Sequence, residues 1–238
     1  MILTRLSLLA DFVFQPPRLV SWKSRASAGL LVHGVIHLAL TAAVGVGYWS
    51  ARYLVLAATL AIAHLAVDAA KIRMDRGHSE GYWPVATFLG DRALHLAAMV
   101  LCAAAFGYDG IGWAWPALAA SLAPASVVVA IVYVATLFGG AVLVRLVTDV
   151  FRPPASDGRR LPAGAGAFVG VVERLMVTTL VALNQYGAAG FVLAAKFIAR
   201  YRRIEEEKEF GDYFLVGTLT SMALAILAGL AVRRALGW

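Results

Sequence analysis

Residues 52 to 70 read RYLVLAATLAIAHLAVDAA. From Leu54 to Ala63 the run is apolar except for Thr59, and then His64 and Asp68 interrupt it. About 20 mostly apolar residues in a helix cross the hydrocarbon core of a bilayer. The segment is therefore read as a transmembrane span. Its two interruptions stand four residues apart, which on a helix puts them on one face. An ionisable group at the bilayer centre costs roughly 2.5–3.5 kcal/mol on insertion scales. Such groups face a partner or a cavity in the protein interior, and they mark function.

The flanking sequence repeats the pattern. Apolar spans are predicted at Ser27–Trp49, Arg52–Ala70, Pro84–Phe106 and Ala117–Leu146. Gly166–Arg200 is too long for one span, and Asn184-Gln185-Tyr186-Gly187 in its middle reads as a tight turn that divides it in two. A last span covers Tyr213–Val232. Ahead of these, Met1–Gln15 is too short to cross straight and ends at Pro16-Pro17, so it is read as a half-helix retained in the mature chain. The expected fold is all-α: a polytopic transmembrane helical bundle of about seven spans plus a short N-terminal half-helix. Three parts are expected. Residues 1–150 form a membrane bundle half. Residues 151–165, with Pro153, Pro154, Gly158 and Pro162, form a cytoplasmic linker. Residues 166–238 form the C-terminal membrane helices.

Composition agrees. Of 238 residues 61% are hydrophobic and 15% charged, with a mean hydropathy of +0.77. Soluble domains are about 45–50% apolar. The net charge of +7 comes from Lys and Arg gathered beside the apolar runs, where they set orientation in a membrane. Nucleic acid is therefore not expected as a partner. Cys102 is the sole cysteine, which excludes an intramolecular disulfide and a cysteine metal cluster. Alternate loops are basic: Arg18, Lys23 and Arg25; then Lys71, Arg73 and Arg76; then Arg152, Arg159 and Arg160; then Arg200, Arg202, Arg203 and Lys208. Those loops are assigned to the cytoplasm. Arg233 and Arg234 run against that assignment.

The polar residues inside the spans form a set. Asp11 with Gln15, His33 with His37, His64 with Asp68 and Asp91 with His95 all stand four apart. They include four of the five histidines. At 1.5 Å per residue, His33 and His37 lie about 9 and about 15 Å from the cytoplasmic start of their span. His64 and Asp68 lie about 9 and about 3 Å from the cytoplasmic end of theirs, and Asp91 and His95 about 10 and about 16 Å from the start of the next. Segments running in opposite directions thus place these groups in one layer.

Imidazole with carboxylate is ligand chemistry for a divalent metal, zinc first, with iron or manganese as alternatives. His33, His37, His64, Asp68, Asp91 and His95 are the candidate ligands. They suffice for one ion with carboxylates orienting the imidazoles, or for two ions sharing an aspartate. Asp11, Asp68 and Asp91 are candidate general bases. A metal-free hydrogen-bonded network or proton relay is the alternative reading of the same residues.

The runs Leu9-Ala10-Asp11-Phe12-Val13-Phe14-Gln15, His33-Gly34-Val35-Ile36-His37, His64-Leu65-Ala66-Val67-Asp68 and Asp91-Arg92-Ala93-Leu94-His95 resemble a bacterial multi-pass membrane family known as domain of unknown function 3307. Gly170-Val171-Val172-Glu173-Arg174, Asn184-Gln185-Tyr186-Gly187 and Tyr213-Phe214-Leu215-Val216-Gly217-Thr218 are similar to its longer members. The resemblance implies a fold, a bacterial inner-membrane location and no particular activity. Two positions depart from the pattern. Ser7 stands where the family has a histidine, and Arg92 where it has a glutamine.

The second half adds Glu173 and Lys196, again on the cytoplasmic side by the same depth count. They suit an interhelical ion pair with a snorkelling lysine. With Lys71, Arg73 and Arg92 they equally suit a rim for an anionic lipid headgroup. The leading functional expectation is a membrane-embedded, metal-dependent hydrolase acting on a lipid or lipid-linked substrate from the cytoplasmic side. The alternatives are a metal-ion or proton transporter using the cluster as its transit site, and a non-catalytic scaffold with a structural metal.

Overall fold

A computed structural model describes residues 17–44, 50–78, 80–106, 124–151 and 165–238. Every regular element among these is helical. The half-helix expected at Met1–Gln15 and most of the linker expected at 151–165 lie outside the described residues. The chain divides into two compact units, residues 1–119 and 120–238.

In the first unit, α1 (Pro17–Arg25), α2 (Ser27–Val44), α3 (Ala51–Asp75) and α4 (Trp83–Ala105) pack in sequence order, so α3 lies against both α2 and α4. Pro17 and Pro84 sit in first turns, where the missing N–H costs nothing. The Ser50 side chain caps α3 by accepting from Tyr53 N at 3.1 Å. α1 occupies a stretch read from sequence as a loop. It meets α2 closely at Gly29, where a Cβ would lie 2.6 Å from Lys23 N and 2.7 Å from Trp22 C.

Each helix buries a stripe at four-residue spacing. On α2 it is Gly29, His33, His37 and Thr41; on α3, Leu56, Leu60, His64 and Asp68; on α4, Thr87, Asp91 and His95. The opposite faces carry large apolar side chains, with Val35 64% and Ile62 68% exposed. A helix in water shows the reverse arrangement. Polar inside and aliphatic outside is what lipid selects, because hydrocarbon solvates aliphatic groups and cannot satisfy polar ones.

In the second unit, α5 (Pro124–Val134) passes through one π-helical turn (Ala135–Gly139) into α6 (Gly140–Val150). There follow α7 (Ala165–Ala182), α8 (Tyr186–Glu206) and α9 (Lys208–Leu236). The turn expected at Asn184 separates α7 from α8. Asn184 takes φ 61°, a left-handed conformation that asparagine tolerates. Val177, Val181, Ala189 and Ala225 form the core, with Leu180, Val192 and Met222 packed on it. At Gly229 the α7 and α9 backbones approach so closely that a Cβ would lie 2.6 Å from Val181 Cβ and 2.8 Å from Thr178 O.

The all-helical class holds, and the number of spans is corrected. Among the described residues, four helical stretches are long and apolar enough to cross a membrane: Ala51–Asp75, Trp83–Cys102, Val128–Val150 and Lys208–Leu236. The apolar part of α2, Ser27–Ala43, is shorter. α7 carries Glu173 and Arg174 at its middle, and Lys196, Arg200, Arg202, Arg203, Glu205 and Glu206 crowd the second half of α8. Sequence reading counts apolar runs, and an interrupted run is easily counted as a full span.

Gly229→Ala is expected to destabilise the protein by on the order of 1–3 kcal/mol, since its Cβ meets backbone and a branched side chain that cannot move aside. Gly190→Ala, where a Cβ meets nothing within 4 Å, is the control and is expected to leave stability within about 0.5 kcal/mol. Thermal unfolding in one detergent compares the two.

Candidate metal centre

The stripes of α2, α3 and α4 meet. His33 Nε2 and His64 Nε2 are 2.9 Å apart, and Asp68 Oδ2 lies 3.5 Å from the first and 3.8 Å from the second. His95 Nε2 is 4.0 Å from the other Asp68 oxygen, Oδ1. His95 Nδ1 lies 3.4 Å from Asp91 Oδ1 and donates to the Asp91 carbonyl at 2.8 Å. All five residues are buried. Two ligand sets result, His33–His64–Asp68 and Asp68–Asp91–His95, each with its donor atoms within 4.8 Å of one another. Asp68 belongs to both.

These residues fit a metal on three counts. Ligand atoms on one tetrahedral zinc at about 2.0–2.1 Å stand about 3.3 Å apart, and the separations in the first set bracket that value. The Asp91 carbonyl can only accept, so the His95 proton is on Nδ1 and the Nε2 lone pair is available for coordination. Finally, His95 Nε2 and Asp91 Oδ1 are buried without a hydrogen bond among the described residues. Buried polar atoms in native proteins are satisfied by some partner.

Gly34 gives Leu65 room where the two helices meet. It lies between the two α2 histidines, and a Cβ there would sit 2.6–2.8 Å from the Leu65 side chain. Without one, Leu65 packs onto the α2 backbone. His37 joins neither ligand set. Its ring stacks on His64, centroids 3.9 Å apart at 29°. His64 also lies against His95, with centroids 4.2 Å apart. A narrow, partly open cleft runs beside the imidazoles, with His37, His64, His95, Leu60 and Met99 in its wall.

The remaining expected site residues divide. Asp11 and Ser7 lie outside the described residues. Arg92 is at the cluster, where Nε donates to Asp91 Oδ2 at 3.0 Å. Lys71 pairs with Asp75 at 2.7 Å on the α3 surface, away from Asp68. Glu173 and Lys196 pair with each other in the second unit. Sequence reasoning missed Lys23, assigned only to orientation. Its Nζ donates to Asp68 Oδ2 at 2.9 Å from 45 residues away. No spacing rule could have found that contact. With Lys23 and Arg92 present, the charges of Asp68 and Asp91 are balanced by two cations.

The fold and this constellation define a membrane-inserted helical protein with a buried His/Asp cluster able to hold a metal. The chain belongs to the family described as protein of unknown function (DUF3307), whose model matches residues 2–121. The matched region contains every residue of the two ligand sets. It ends before the later runs that resemble longer members. No curated protein and no solved structure matches the chain.

Removing one partner of an ion pair strands the other charge, at a large cost when that charge is mostly shielded from water, as the Lys23 ammonium is. Asp68→Asn alone is therefore expected to lower stability strongly, and Lys23→Met combined with it to recover a large part of the loss. A double-mutant cycle in detergent measures this coupling, and additive effects would contradict the pairing.

Proposed function

We propose that the protein is a membrane-embedded, metal-dependent hydrolase acting on a lipid or lipid-linked substrate from the cytoplasmic side. One observation carries the reading. Three separate helices bring His33, His64, Asp68, Asp91 and His95 into two buried ligand sets joined at one carboxylate. Retaining so many ionisable groups in a lipid-facing bundle costs stability, and a catalytic or coordinating role accounts for that cost. The donor set suits zinc, with iron or manganese as alternatives, and one or two ions. Bound there, such an ion makes water acidic enough to ionise near neutral pH.

His33, His64 and Asp68 would hold the ion. Asp91 takes a proton from the attacking water and returns it to the leaving oxygen, with His95 fixed beside it through the Asp91 carbonyl. Asp11 is a further candidate base. Arg92, on the edge of the cluster and tied to Asp91, meets the anionic part of the substrate. Lys71, in the same unit, is a further candidate for that headgroup role. The apolar cleft containing Leu60 and Met99 takes the acyl portion. The alternate basic loops support cytoplasmic access.

A specific observation favours a second reading. Successive ring contacts link His37 to His64, His64 to His33 and His64 to His95. Such a chain suits proton or metal-ion transit.

Elemental analysis of chelator-washed protein is expected to find a divalent metal in wild type and in His78→Ala, and to find it depleted in His33→Ala. Lys23→Met is expected to raise metal affinity about tenfold, because the ammonium no longer competes for Asp68. Wild type should hydrolyse lipid in mixed micelles, and Asp91→Asn with an unchanged helical spectrum should be slower by at least about a hundredfold. Wild type without metal removes the proposal. Ion flux into liposomes without lipid turnover transfers it to the transport reading.

A further inference from the structure

The second unit holds a buried cation that forms no ion pair among the described residues. Arg174 is only 3% exposed. Its side chain fills a slot between two glycines. A Cβ on Gly140 would lie 3.5 Å from Arg174 Cδ and Nε, and one on Gly170 3.4 Å from Nη1. Nε donates to Thr136 O at 3.1 Å, Nη2 to Leu137 O at 3.2 Å and Nη1 to Ser221 Oγ at 3.3 Å. Thr136 and Leu137 belong to the π-helical turn, and such turns recur at functional sites.

All three acceptors are neutral. The guanidinium keeps N–H donors to spare, and it has no ion-pair partner among the described residues. The adjacent Glu173 gives its carboxylate to Lys196. A buried charge without a partner is among the most costly features a protein can retain. Neutral carbonyls lower that cost and do not cancel the charge.

Beside the guanidinium lies a shallow, partly open cleft, with Arg174, Lys196, Glu173, Thr218 and Ser221 in its wall. Two cations and one carboxylate leave it with one net positive charge. The planar guanidinium fork matches phosphate oxygens, the ammonium adds a point charge, and the two hydroxyls can donate. We propose that this cleft binds a phosphate group carrying a single negative charge, supplied by a phospholipid headgroup or as free phosphate. The inference rests on the second unit alone and stands apart from the metal chemistry proposed for the first.

The test uses the full chain in a non-ionic detergent and reads the thermal midpoint against added ligand. The probes are phosphatidylglycerol, with phosphatidylcholine as reference, and inorganic phosphate, with chloride at equal ionic strength as reference. A saturable rise of the midpoint with phosphatidylglycerol but not phosphate assigns the site to lipid. A rise with phosphate alone assigns it to the free anion. Lys196→Gln is expected to weaken the apparent affinity about tenfold, and Glu173→Gln to strengthen it by a similar factor, because they change the cleft's charge in opposite senses. Arg174→Gln, if it folds, should abolish the response. The proposal is overturned if neither probe exceeds its reference. It is equally overturned if Lys196→Gln and Glu173→Gln both respond as wild type or shift in the same direction, as a purely structural ion pair would.

Discussion

Hydrocarbon cannot solvate an ionisable group, and that constraint organises both units. In the first, the buried stripes of α2, α3 and α4 carry His33, His37, His64, Asp68, Asp91 and His95, while aliphatic side chains face outward. Each of these groups has to find its partner inside the protein, and the helices supply partners to one another. In the second, Arg174 obeys the same constraint by taking the carbonyls of the π-helical turn and a serine hydroxyl.

Close helix approach is the means by which the constraint is met. Gly34 lets Leu65 lie on the α2 backbone, beside the meeting of the imidazoles at 33 and 64. Gly29 brings α1 onto α2 in the same way, and Lys23 thereby reaches Asp68. Gly229 performs the equivalent service between α7 and α9. In lipid there is little hydrophobic drive to press helices together, so small residues at the contact matter more than bulk. Polar chemistry and glycine placement are therefore parts of one design: neither would position the cluster without the other.

Asp68 connects the cluster's two halves. One of its oxygens faces His33, His64 and Lys23, and the other faces His95. A carboxylate placed this way feels any change in the cations around it. The Lys23 ammonium and a divalent ion would seek the same oxygen, so the two are competitors by geometry.

The amino-acid sequence alone determined the helical class, the turn at Asn184 and the pairing of His and Asp residues on common helix faces. All three follow from periodicity and local propensity, which act over a few residues. The sharing of a layer by three helices was also legible, because span length and direction set depth. Only the tertiary structure decided which members of the layer touch. It placed His37 against the His64 ring and outside both ligand sets, put Lys23 on Asp68, turned Lys71 to Asp75, and gave Arg174 to the π-helical turn. Those contacts depend on the rotation and separation of neighbouring helices. Glycine contacts far apart along the chain set these, and four-residue spacing carries no record of them.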